Sequence, residues 1–279
     1  MNSLSETEDL YIELLKKTLS FSLWPEPPVP LGIFGLGRNA RSRKVARSLN
    51  ALLAKRGLML AEVPNYSAKA RAGGEVWPGY ADTMVGRFRL DNLETCIRTV
   101  VADGVPGDFI ETGVWRGGSC ILMRGILKAL GETDRRIFVA DSFEGLPPPE
   151  PDKHPADKGD VLFDYDFLAV SEDQVRHNFE RYGLLDDQVV FIKGFFADSL
   201  PKAPIEKLAI LRLDGDMYSS TIDALNALYH KLSPGGFCIV DDYGLPTCEA
   251  AIQDFRKDHG ITEELIDIDN FGKYWRKAG

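Results

Sequence analysis

Hydrophobic positions change their spacing several times along the chain, and each change marks an element. Leu10, Leu14, Leu15 and Leu19 fall at helical spacing and predict a short amphipathic helix over residues 10–22. Pro25, Pro27, Pro28 and Pro30 then break any regular element. Residues 38–56 read as a second helix with one basic face. Beyond about residue 75, apolar runs of strand length alternate with amphipathic stretches. Strands are expected at 108–114, 136–141, 189–195, 208–214 and 237–241, with two more at 264–269 and 273–276. Helices are expected at 119–130, 171–184, near 220–232 and at 248–259. The helix expected at 171–184 is opened by a capping box of Ser171 and Gln174. Strands alternating with helices require right-handed crossovers and a mostly parallel sheet covered on both faces. The expected fold class is therefore α/β, doubly wound, without internal repeats.

Composition narrows the possibilities. The 279 residues are 44% hydrophobic and 27% charged, enough for a sizeable core. A net charge of −9 argues against nucleic acid or an anionic membrane as the main partner. No apolar run approaches the ~18 residues of a membrane span. The opening MNSLSETEDL lacks the basic and apolar regions of a signal peptide. Cys96, Cys120, Cys238 and Cys248 form no C-x-x-C pair, so a reducing, cytoplasmic location is expected. Between residues 32 and 60 stand Arg38, Arg41, Arg43, Lys44, Arg47, Lys55 and Arg56, with no acidic residue before Glu62. That stretch is expected to be a solvated face packed on the main domain.

Two glycine-rich segments compete for a cofactor. Gly35, Gly37 and Ala40 match the dinucleotide pattern G-x-G-x-x-A, and Glu62 lies at about the distance of a ribose-binding acid. This would suit a nicotinamide-dependent oxidoreductase. Against it, the preceding strand would be very short and would follow four prolines. The second segment runs from Asp108 through Glu111, Gly113, Gly117 and Gly118 to Ser119, so that a full apolar strand delivers an acid and then glycines into a helix. An acid before the first glycine suits a ligand carrying an ammonium group, such as S-adenosylmethionine. Asp141, at the end of the next strand, is placed to accept hydrogen bonds from both ribose hydroxyls.

Further acids follow later strands: Asp214 and Asp216 in LRLDGDMY, and Asp241 and Asp242 in FCIVDDYG. All lie on the sheet edge that carries Glu111 and Asp141. Converging carboxylates repel unless a cation sits between them. Asp214, Asp241 and Asp242 are therefore candidate ligands for a hard divalent ion, Mg²⁺ by abundance and geometry. Methyl transfer from a sulfonium requires a nucleophilic oxygen, which a metal activates. Asp216, on the same turn, is the candidate general base. His154, in the Pro- and Asp-rich loop 146–160, is a further candidate for touching substrate.

The strings DFIETGVWRGGSCILMR, VADSFEGLPPP, FLAVSEDQVRHNFERYGL, LRLDGDMYSST and LSPGGFCIVDDYG resemble the macrocin, mycinamicin and novobiocin-type sugar O-methyltransferases. The resemblance covers residue 82 to the C-terminus. It implies a class I S-adenosylmethionine-dependent methyltransferase, with a Rossmann-like, mostly parallel seven-stranded sheet. It further implies Mg²⁺, a deoxysugar hydroxyl of a natural product as acceptor, a small-molecule glycoside partner and a homodimer. Carried over by motif, the metal ligands are Asp214, Asp241 and Asp242, with Asp216 as base. Glu111, Gly113, Asp141, Ser142 and Asp198 would hold the donor, while Thr83 and Met84 belong to a lid over it. Residues 1–75 are expected to be an N-terminal helical extension with lid and dimer contacts, and residues 76–279 the methyltransferase domain. A metal-dependent enzyme acting on a phenol or catechol would use the same aspartates.

Overall fold

The structure, a computed structural model, describes residues 6–33 and 40–279. In chain order the elements are α1 (Glu6–Leu19), β1 (Val29–Pro30), α2 (Ala40–Ala54), β2 (Ala61–Glu62), α3 (Ala68–Ala72), α4 (Arg87–Ala102), β3 (Asp108–Thr112), α5 (Gly118–Ala129), β4 (Ile137–Asp141), α6 (Glu172–Arg181), β5 (Val189–Lys193), α7 (Phe196–Ser199), β6 (Leu208–Leu213), α8 (Tyr218–Leu228), β7 (Leu232–Val240), α9 (Pro246–Asp258), β8 (Ile266–Asp267) and β9 (Lys273–Arg276). No helix among the described residues is long and apolar enough to cross a membrane.

Seven strands form one sheet in the order β5-β4-β3-β6-β7-β9-β8. β3 to β7 run parallel, and β9 is antiparallel to both β7 and β8. The expected mostly parallel seven-stranded sheet is thus present. Side chains alternate across it, as the pleat dictates. Phe109, Val139 and Ile210 pack with Ile12 and Leu15 of α1, Leu93 of α4 and Ile121 of α5. Ile110, Phe138 and Leu211 face the opposite way, towards Leu225 of α8 and Ile252 of α9. Strand order reverses between β3 and β6, and ligands of such sheets bind at the strand ends beside that point. Register brings those ends level. Glu111 pairs with Arg212, and Arg212 with Ile239, while Asp214 N donates to Thr112 O and Asp241 N to Leu213 O, both at 2.9 Å.

Several elements differ from the sequence expectation. The pattern left residues 87–102 unassigned; they form α4, whose buried Leu90, Leu93, Ile97 and Val100 follow helical spacing between charged residues. β7 begins five residues before the expected start at 237, because Leu232 pairs with Leu208 across a bulge. Only half of the capping box forms. Ser171 Oγ accepts from Gln174 N at 3.3 Å, but the Gln174 side chain donates to Asn178 Oδ1 at 2.9 Å.

The N-terminal segment also resolves the competing glycine motifs in part. β1 and β2, which flank α2, pair antiparallel, whereas a dinucleotide-binding unit needs two parallel strands joined by its helix. Gly35 and Gly37 themselves lie outside the described residues. Of the basic residues of α2, Arg43 packs on the main body while Arg41, Lys44 and Arg47 stay exposed. Arg43 is buried, with its guanidinium 4.1 Å from the Tyr165 ring centre and Nη2 donating to Asp164 O at 2.7 Å. Arg47 pairs with Asp166.

Candidate active site

A cavity of about 640 Å³ opens at the carboxyl ends of β3, β4, β6 and β7. Each candidate residue lies on its wall: Thr83, Met84, Glu111, Gly113, Asp141, Ser142, Asp198, Asp214, Asp216, Asp241 and Asp242. The volume is that of an ordinary small-molecule site.

The β3–α5 turn is shaped by close backbone approach. Gly113 has φ +87°, and a Cβ there would stand 1.7 Å from the carbonyl oxygen of Asp214. Only glycine lets β3 and the Asp214 turn close together. Gly113→Ala is expected to cost about 3 kcal/mol or more, through backbone strain plus this overlap, and thermal melting checks it.

Asp141 bridges two turns. Its Oδ2 accepts from Val114 N and its Oδ1 from Phe143 N, both at 2.8 Å. Burial raises its pKa against these hydrogen bonds. Ser142 Oγ accepts from Glu144 N at 3.0 Å and donates to Gly145 O at 2.6 Å, fixing the following turn. Asp198 sits exposed on the short helix α7. Glu111 is buried, and burial pushes its pKa up to about 7 while Arg212 pulls it down. Its Oε1 is paired with Arg212, and its Oε2 accepts from Cys120 Sγ at 3.0 Å.

The acidic cluster lies beside it. One carboxylate oxygen from each of Asp214, Asp241 and Asp242 falls within 4.8 Å of the others. Asp214 is 24% exposed on its cavity side. Burial and the Asp241 charge raise its pKa to about 6, against the pull of Arg212. Asp242 is raised well above the usual carboxylate range by burial and by Asp216, Asp214 and Asp241. Asp216 stands at φ 56°, its N–H donating to Asp242 Oδ2 at 3.0 Å, and its pKa is pushed up to about 8 by burial and by Asp214 and Asp241. Three carboxylates that each bring one oxygen this close together fit a hard divalent cation, which takes oxygen ligands.

Sequence reasoning missed the countercharges. Arg212, 1% exposed, donates from Nη1 to Glu111 and to Asp214 Oδ2 (2.7 Å), and from Nη2 to Asp241. Arg89 pairs with Asp241 from the other side and with Asp269 at 3.0 Å. An arginine inside an apolar strand, two residues before an acid, was the available signal for the first. Asp157 was also overlooked. It is fully buried, and its two oxygens accept from Tyr218 N (2.7 Å) and Ser219 N (3.0 Å), capping α8 from the 146–160 loop. His154 lines the cavity as well, with its Nε2 buried and without a hydrogen-bond partner among the described residues.

Comparison with known proteins agrees with this architecture. Residues 8–277 match the family described as Macrocin-O-methyltransferase (TylF). The chain is 46% identical over 272 residues to the 8-demethyl-8-(2,3-dimethoxy-alpha-L-rhamnosyl)-tetracenomycin-C 4'-O-methyltransferase of Streptomyces olivaceus, covering 97% of this chain and 94% of that one. It is 51% identical over 213 residues to the mycinamicin III 3''-O-methyltransferase of Micromonospora griseorubida, covering 75% and 84%. The solved structure of the O-methyltransferase NovP superposes with a TM-score of 0.83 at 42% identity, covering 98% of this chain and 100% of that one. A match over nearly the whole length, on a sheet of this order, has one reading: the chain belongs to the macrocin O-methyltransferase family.

Proposed function

We infer that the protein moves the methyl group of S-adenosylmethionine to a sugar hydroxyl of a glycosylated small molecule, with Mg²⁺ held by Asp214, Asp241 and Asp242. The observation that carries this reading is the meeting, on one cavity wall, of Glu111 and Asp141 from β3 and β4 with the acidic cluster from β6 and β7. The Streptomyces olivaceus relative is named for a rhamnosyl-bearing tetracenomycin, which supports a sugar acceptor over a phenol or catechol.

The roles follow from charge and position. Asp141 offers two carboxylate oxygens with lone pairs to spare for ribose hydroxyls, and Glu111 offers a negative charge to the donor's ammonium. Gly113, Ser142 and Asp198 complete the donor wall, with Thr83 and Met84 over it. A bound divalent cation supplies positive charge that lowers the pKa of an alcohol beside it. Asp216 then accepts the hydroxyl proton as the oxygen displaces the donor sulfur in line, leaving S-adenosylhomocysteine. Its own burial, and then the charges of Asp214 and Asp241, keep Asp216 basic enough for that task.

Calorimetric titration with S-adenosylhomocysteine in Mg²⁺ buffer tests the donor assignment. One-site binding with a Kd of about 1 μM is expected, and no binding at about 1 mM overturns it. Asp141→Ala is expected to weaken that affinity by about 10- to 100-fold, the worth of one or two hydrogen bonds to a charged group. An acceptor screen over sugar-bearing natural products and catechols then separates the two acceptor classes.

A homodimer joined through the 1–75 extension belongs to the same proposal. Val45, Leu49 and Leu52 on α2 are 59%, 42% and 62% exposed, an apolar stripe of the kind that partners cover. Light scattering should give twice the 31.0 kDa chain mass, and a monomer at micromolar concentration would remove this part.

A further inference from the structure

Arg89 occupies a place that the methyl-transfer chemistry leaves unexplained. It stands in the first turn of α4, 6% exposed, and its guanidinium reaches three separate parts of the chain. Nη1 is bonded to Asp241 Oδ2 and lies 3.4 Å from the Asp241 carbonyl oxygen. Nε donates to Asp269 Oδ2 at 3.0 Å. Nη2 donates to the carbonyls of Gly73 at 3.1 Å and Gly74 at 3.4 Å.

Those last two carbonyls open a loop whose ends meet beside Arg89. A Cβ on Gly86 would stand 2.3 Å from both Ala72 O and Gly74 N, and one on Gly74 would stand 2.0 Å from Arg89 Nη2. The loop between them sends Glu75, Trp77, Thr83, Met84 and Val85 to the cavity wall. Its far limb is held by Arg71, which donates to Thr83 O at 3.0 Å and Met84 O at 3.3 Å. Arg89, buried, and Arg71, partly buried, therefore fix the loop, and Arg89 also holds a carboxylate of the acidic cluster.

One guanidinium charge is shared among Asp241, Asp269 and two carbonyls. A dication at Asp241 draws negative charge away from that bond, so the guanidinium bears more strongly on Asp269 and on the neck of the loop. We propose that Arg89 is a positioning residue that couples occupation of the Asp214, Asp241 and Asp242 cluster to the seating of the 74–85 loop over the donor. The inference rests on the cation reading given above and goes beyond it by assigning the link to one side chain.

The test uses the full chain, as wild type, Arg89→Lys and Arg89→Ala. S-adenosylhomocysteine affinity is measured by calorimetry with and without Mg²⁺, and hydrogen exchange is followed in peptides spanning residues 74–86. In the wild type, Mg²⁺ should tighten the ligand about fivefold or more, the lower range of ordinary site-to-site coupling, and slow exchange in the loop. Lysine keeps the charge, but its compact ammonium cannot span all four acceptors. In Arg89→Lys the ratio of ligand affinity with and without Mg²⁺ should therefore fall to about one, whatever the Mg²⁺-free affinity of the variant, and loop exchange should no longer respond to Mg²⁺. Arg89→Ala should behave alike if it folds, and Arg89→Lys carries the test if it does not. A lowered melting temperature in Arg89→Lys with the Mg²⁺ effect intact means a structural role alone and overturns the proposal, as does a wild type whose ligand affinity ignores Mg²⁺. A wild type that binds no S-adenosylhomocysteine at all overturns the proposed function, and this inference with it.

Discussion

Asparagine in place of Asp216 is expected to lower turnover by about 10²- to 10⁴-fold, the usual worth of a general base, with donor and cation binding close to wild type. The substitution is a clean one at this position. Asp216 holds a left-handed backbone at φ 56°, which asparagine tolerates nearly as well as aspartate. Its backbone N–H donates to Asp242 and its carbonyl accepts from Thr247 Oγ1 at 2.8 Å, and neither bond involves the side chain that changes. What disappears is basicity. A base whose pKa is raised to about 8 by burial and by Asp214 and Asp241 works only above that pKa, and a bound dication lowers it. The wild-type rate should therefore climb with pH until the carboxyl is ionised, and the Asp216→Asn rate should lack that rise. Single-turnover methyl transfer across pH, beside calorimetry of both ligands, separates the effects. Retained turnover would remove Asp216 as the base.

Much of this site is legible in the sequence because strands expose their chemistry at their ends. Glu111, Asp141, Asp214 and Asp241 each follow an apolar run, and parallel strands put those ends on one edge. The aspartate cluster could be read before any geometry for that reason. Its countercharges could not. Arg212, two residues before Asp214, interrupts an apolar strand and so offers a sequence signal, but only register places it opposite Glu111. Arg89 lies 152 residues from Asp241, on a helix whose apolar stripe is diluted by charged neighbours. Long-range pairs of this kind leave no local pattern, and neither does the reach of Asp157 across 61 residues to cap α8. The antiparallel pairing of β1 with β2 is equally invisible in a two-residue strand, yet it decides against reading α2 as a dinucleotide-binding helix.

Asp241→Asn and Asp242→Asn are adjacent substitutions that should push stability in opposite directions. Both oxygens of Asp241 are paired with guanidiniums, Arg212 being 1% exposed and Arg89 6%. An amide turns a donor towards one of those cations and leaves charge uncompensated in the interior. The expected loss is about 3–5 kcal/mol, or roughly 6–20 °C in a chain of this size. Asp242 has no such partner among the described residues; its Oδ2 accepts from the N–H of Asp216, as an asparagine oxygen also would. Its pKa is raised well above the usual range by burial and then by Asp216, Asp214 and Asp241. A carboxyl whose folded pKa exceeds its unfolded value stabilises the protein below the unfolded pKa, and that contribution is lost as pH rises through the folded one. Cation-free wild type should accordingly melt lower at about pH 8 than at about pH 6, and Asp242→Asn should flatten that slope and melt no lower than wild type at the alkaline end. Mg²⁺ binds the ionised cluster and should restore the wild type at high pH, with a much smaller gain in either variant. Melting curves at two pH values, with and without Mg²⁺, give all of these comparisons. A full wild-type response to Mg²⁺ in both variants would exclude Asp241 and Asp242 as ligands. An Asp242→Asn melting temperature as low as that of Asp241→Asn would show that Asp242 also serves the buried charge network.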